Sequence, residues 1–187
     1  MSWPIYCLAK MSSTCSRPVV GGVMRARSMC IAVIMVFALG TVVSAQAIQK
    51  IDGQSDLSLV NRGQPLKFDV NGQSTVCVNG TASTVEFVNI DGQSFVDLSR
   101  LQSDVLTIKR LNGQCVVYVW GHNITLPDID GQCTVVAVVR CNGVLRVGNM
   151  NGQSRVLWRR ERPTDPKPQV STGNLDGRSR VKELTLQ

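Results

Sequence analysis

The sequence predicts an all-β chain wound as a single-stranded parallel β-helix of about seven coils of roughly 20 residues each. Three observations carry this. A short motif, apolar-(Asp or Asn)-Gly followed by Gln, recurs along the chain, as in Ile129-Asp130-Gly131-Gln132. Its glycines, Gly53, Gly72, Gly92, Gly113, Gly131, Gly152 and Gly177, are separated by 19, 20, 21, 18, 21 and 25 residues. Between them apolar residues alternate with period two, the pattern of a strand with one buried face. The composition agrees: 16 glycines and only 5% aromatic residues favour strands and turns over a helical bundle.

Residues 1–45 read as a signal peptide. Arg25 and Arg27 precede the apolar run 29–43, and Ala45 and Ala47 offer small-residue cleavage positions. That run is short for a membrane span, which needs about 20 residues. Cleavage near Ala45 or Ala47 is therefore expected, with an uncleaved N-terminal membrane anchor as the alternative. The residues before Met24 add no recognisable element, and Met24 is the expected true start. Cleavage would place the chain outside the cell or in the periplasm and cell envelope.

Residues 46–158 carry the repeats. Each coil opens with a strand after its glycine, whose alternate residues, such as Gly113, Cys115, Val117 and Val119, are expected inward. A loop and a second short strand follow, with the inward pairs Leu66 and Phe68, Val85 and Phe87, Leu106 and Ile108, Ile124 and Leu126, and Leu145 and Val147. One coil buries too few apolar residues to offset the entropy of ordering its backbone, so stability must come from stacking. The Pro-rich charged run 159–174 reads as an insertion loop, either a solvated linker or a binding loop. Residues 175–187 resume the pattern as a C-terminal half-coil or cap.

Three columns follow from the repeat. The residue before each glycine is Asp52, Asn71, Asp91, Asn112, Asp130, Asn151 and Asp176, a strict alternation of charged and neutral. Stacked coils would set these side chains about 4.8 Å apart, where like charges repel and an interposed amide relieves them. A structural ladder is the expected role, and calcium coordination along one edge is the alternative. Gln54, Gln73, Gln93, Gln114, Gln132 and Gln153 suit an outward amide row. Cys115 and Cys133 occupy the slot that Ser55, Ser74, Ser94, Ser154 and Ser179 fill elsewhere. Packing as small buried residues is expected there, with a disulfide between them as the alternative.

The formal charge of +7 is not spread over the repeats. Four of the 20 basic residues precede residue 46, leaving 16 against 13 acids, and between residues 46 and 154 the count is eight against nine. No basic stripe interleaved with aromatics is present, so nucleic acid is not an expected partner. His122 is the sole histidine, and no zinc spacing, nucleophile elbow or phosphate-binding loop occurs. Asp56, Asp97, Asp104 and Asp128 are scattered, and the Asp128/Asp130 pair sits at a turn. The chain is expected to be no enzyme, with no catalytic residue, cofactor or metal. Asn79 and Asn123 head glycosylation sequons.

The coils "VNGQSTVCV" and "IDGQSFVDL" resemble those of small exported bacterial β-solenoids grouped with auto-transporter adhesin head domains, and more loosely the polymer-forming bactofilins. The resemblance covers roughly residues 47–158 and rests on the repeat pattern. It implies a right-handed coil without cofactor. The expected function is a structural, adhesive or assembly element of the cell envelope; the alternative is a carbohydrate-binding or polysaccharide-active β-helix, hinted at by Tyr118 and Trp120. The candidate partners are a glycan and the chain itself through its terminal coils, with a membrane only if the leader stays uncleaved.

Overall fold

The period-two segments form ten strands, every pair parallel, in a computed structural model that describes residues 47–185. The expected leader, residues 1–45 with Met24, lies outside the described residues. In chain order the strands are β1 (Gln49–Ile51), β2 (Asp56–Gly63), β3 (Leu66–Val70), β4 (Thr75–Ile90), β5 (Phe95–Ile108), β6 (Val116–Ile129), β7 (Thr134–Met150), β8 (Arg155–Arg160), β9 (Gln169–Thr172) and β10 (Arg180–Glu183). They build a β-solenoid, and no helix occurs among the described residues. Seven glycine corners bound about six turns, not seven full coils.

Register follows the glycine spacing. Asp56 pairs with Thr75, Thr75 with Phe95, Phe95 with Val116, Val116 with Thr134, Thr134 with Arg155 and Arg155 with Arg180. Each step equals the corresponding distance between glycines, so differences in coil length are absorbed elsewhere, as shifts within the strands. Those shifts fall at Phe68/Asp69, Cys77/Asn79, Leu98/Ser103 and Gly121/Asn123.

Inward columns make the core. The apolar residue opening each motif stacks as Ile51, Val70, Ile90, Leu111, Ile129 and Met150, all buried. Phe68 and Phe87 stack on adjacent coils with ring centroids 5.1 Å apart, and the expected inward pairs of the second limb are buried in every coil. Alternation does not run through the corner, however. Leu111, Cys115, Val117 and Val119 are buried, whereas Gly113 is half-buried and Gly152 exposed. The glycine belongs to the bend and not to the inward column.

The bend explains why only glycine stands there. All seven have φ between +70° and +86°, a region that a Cβ disfavours. Neighbouring corners also touch: a Cβ on Gly72 would lie 2.5 Å from the Gly53 carbonyl oxygen. Backbone amides then link the corners, with Gln73 donating to Gly53 at 2.7 Å and Gln132 to Gly113 at 2.7 Å.

Two sequence boundaries shift. In β4 to β7 the chain runs through the mid-coil corner as one bent strand, so His122 lies within β6 and not in a loop. The irregular segment is shorter than 159–174, because β8 reaches Arg160 and β9 places Gln169 opposite Val144. What remains folds back on the last turns: Lys167 Nζ sits 5.8 Å over the Trp158 ring and 3.4 Å from Glu183, which Arg160 also meets at 3.6 Å.

Candidate functional site

Corner chemistry is set by the small-residue slot. Ser74 Oγ donates to the Asn71 carbonyl at 2.9 Å, Ser94 Oγ to Asp91 at 2.8 Å, Cys115 Sγ to Asn112 at 2.9 Å and Cys133 Sγ to Asp130 at 3.1 Å. In these four slots, as at Ser55, the side chain closes its own bend by donating to the carbonyl three residues back, whereas Ser154 Oγ donates to the Gly131 carbonyl of the preceding turn at 3.3 Å. The slot asks for a donor as well as a small side chain, which size alone did not reveal. Cys115 and Cys133 are both buried free thiols on adjacent turns. Contact with Cys133, reinforced by burial, pushes the Cys115 thiol far above its ordinary range.

The Asp/Asn column is satisfied in two ways. Asn71 Nδ2 donates to Asp52 Oδ1 at 3.0 Å, an amide-to-carboxylate bond between turns. Asp91, Asn112 and Asp130 instead accept from the amide of the glycine that follows, at 2.6 to 2.8 Å. No bond of either kind joins Asn151 or Asp176 among the described residues. In the outward amide row, Gln54 Nε2 donates to Gln73 Oε1 at 3.3 Å.

A recess marks the shortest step of the stack. From Leu98 to Ser103 β5 advances five positions while β6 advances only two, from Val119 to Gly121, and β7 advances five, from Val139 to Val144, against two on β6, from Gly121 to Asn123. The mid-coil corner of this turn is therefore three residues shorter than its neighbours. It leaves a recess of about 330 Å³ lined by Asp104, His122, Arg140, Cys141 and Glu161. Arg140 reaches Asp104 at 3.7 Å, two turns earlier across the shortened corner of β6, and Glu161 at 4.0 Å on the next turn. The guanidinium is thus already matched by two carboxylates. Cys141 is an exposed free thiol, and His122 is half-buried. No group of three metal-ligating side chains comes together among the described residues.

The other feature is the outer face of the sheet that follows the glycine corners. Register aligns Phe95, Val116 and Thr134 in one column, Asp97, Tyr118, Val136 and Leu157 in the next, and Trp120, Val138 and Arg159 in a third. Phe95 and Tyr118 meet with ring centroids 5.8 Å apart, tilted by 58°. The last two turns add Arg155 and Arg180 to the first column and Lys182 to the second. Tyr118 and Trp120 therefore belong to an apolar strip that crosses several turns and ends in a cluster of cations. Sequence order hides this, because the members lie 18 to 25 residues apart.

No helix among the described residues is long and apolar enough to cross a membrane. No family model, curated protein or solved structure matches the chain.

Proposed function

We propose that this chain is an exported, non-enzymatic β-solenoid serving as a structural, adhesive or assembly element of the cell envelope, built up by end-on stacking of its terminal coils. One observation carries the proposal: among the described residues apolar inward columns stay open at both ends, save the one that Glu183, opposite Trp158 and held by Arg160 and Lys167, closes on the last turn. On the first turn Leu57 and Leu59, opposite the buried Val76 and Val78, are only half-buried. On the last, Val170 and Val181 are half-buried and Leu175 is 41% exposed. β2 pairs only with β4, and β10 only with β8, so each offers an unpaired edge among the described residues. Open parallel edges above unfinished apolar columns are templates for another chain. The test is sedimentation of residues 46–187 over a wide concentration range. Growing oligomers that collapse in Leu59→Lys support the reading, and a strict monomer at high concentration overturns it. The outer aromatic strip favours a second reading, a carbohydrate-binding β-helix, for which capture on a glycan array is the test.

A further inference from the structure

We propose that the outer face spanning Tyr118 and Trp120 to Arg180 and Lys182 binds a carboxylate-bearing glycan, a polymer of uronic-acid type. The proposal rests on the carbohydrate-binding reading and gives it a ligand class and a direction along the stack.

Charge comes first. Arg155, Arg180 and Lys182 project from one face, on columns about 7 Å apart along the strand and turns about 4.8 Å apart along the axis. None of the three has a carboxylate within ion-pair distance among the described residues. The other C-terminal cations behave differently: Arg160 and Lys167 are both held by Glu183. Three unmatched cations on adjoining grid points of a flat sheet form a surface for a linear polyanion. Guanidinium groups suit carboxylates in particular, because the planar fork can donate two parallel hydrogen bonds. Asp97, in the same column as Lys182 but four turns away, directs an anionic chain toward the C-terminal end.

The apolar strip supplies the rest. Phe95, Tyr118 and Trp120 are half-buried among Val116, Val136, Val138 and Leu157, so they present surface flush with the sheet. Such surface accepts the flat carbon face of a sugar ring, and the indole N–H of Trp120 can reach a hydroxyl. It offers no projecting wedge for a stacked base or an acyl layer. It is also too small for a second copy of this chain: three columns by four turns cover about 400 Å², against roughly 800 Å² per partner in a stable dimer.

The experiment uses the full chain and titrates it with oligogalacturonate, with neutral cellohexaose of equal length, with a single-stranded DNA oligomer and with phosphatidylglycerol vesicles. Saturable binding of oligogalacturonate is expected. It should weaken as salt is raised and fall roughly tenfold or more in the surface double variant Arg155→Gln/Lys182→Gln, through loss of charge-assisted hydrogen bonds. Trp120→Ala should weaken it independently. Tight binding of cellohexaose with none of oligogalacturonate would overturn the acidic class while leaving the carbohydrate reading standing. Absence of binding to both sugars would overturn both readings. Preference for DNA or vesicles, or full affinity in the double variant, would overturn the proposal as well.

Discussion

A Cβ on Gly131 would stand 2.5 Å from the carbonyl oxygen of Gly113 on the preceding turn, at a backbone with φ of +86°. The same construction at Gly53 meets nothing within 4 Å, although φ there is +75°. The two positions carry one conformation but different surroundings, and they separate the local from the stacking part of the glycine requirement.

Gly53→Ala should therefore destabilise by only about 1 to 2 kcal/mol, the left-handed backbone penalty. Gly131→Ala adds a clash with backbone that cannot yield, and should lose about 3 kcal/mol or more. Denaturant titration of the two variants checks this, and equal losses would refute the stacking term.

At the small-residue slot the donor should matter more than the sulfur. Cys133→Ser keeps a donor toward the Asp130 carbonyl and should change stability by less than about 1 kcal/mol. Cys133→Ala leaves that acceptor without its partner and should cost about 1 to 3 kcal/mol. Of the three free thiols among the described residues, exposed Cys141 should react at once with a disulfide reagent, and Cys115 and Cys133 only on unfolding. Mass spectrometry of the modified peptides reads the order.

Glu86 lies 2.7 Å from Lys109 and 3.3 Å from Lys67, bridging neighbouring turns. The hydrogen bond from Lys109, against some desolvation, holds its carboxyl below the ordinary value of 4.5, and Lys67 adds to the effect. A carboxyl depressed on folding contributes stability above its unfolded value and loses it as pH falls through the folded one. Glu86→Gln should thus be less stable than the parent at neutral pH, by up to about 1 kcal/mol. The gap should close below pH 4.5, as followed by thermal melts across that range.

Asn61 anchors the open first turn, its buried amide donating to the carbonyls of Gln64 and Thr81 at 2.6 Å each. Asn61→Ala should cost about 2 kcal/mol. Hydrogen exchange should accelerate in β2 and leave β6 and β7 unchanged.

Much of this was legible in the chain. The glycine spacing, the paired inward residues and the period-two alternation fix a stack of parallel coils, because positive φ at a corner and one buried face per strand are local requirements that each coil repeats. Ile51 to Met150 could be named as one column from the motif alone. The tertiary structure decided what depends on register between coils. It placed the missing corner residues of the 113–131 coil at His122, opening the recess beside Arg140. It turned Asp91 and Asp130 back onto their own glycines while Asn71 reached across to Asp52. It also joined Trp120 and Tyr118 to Arg155 and Lys182 across three turns. A repeat shows where each coil begins; only stacking shows where its extra or missing residues are absorbed, and so which side chains meet.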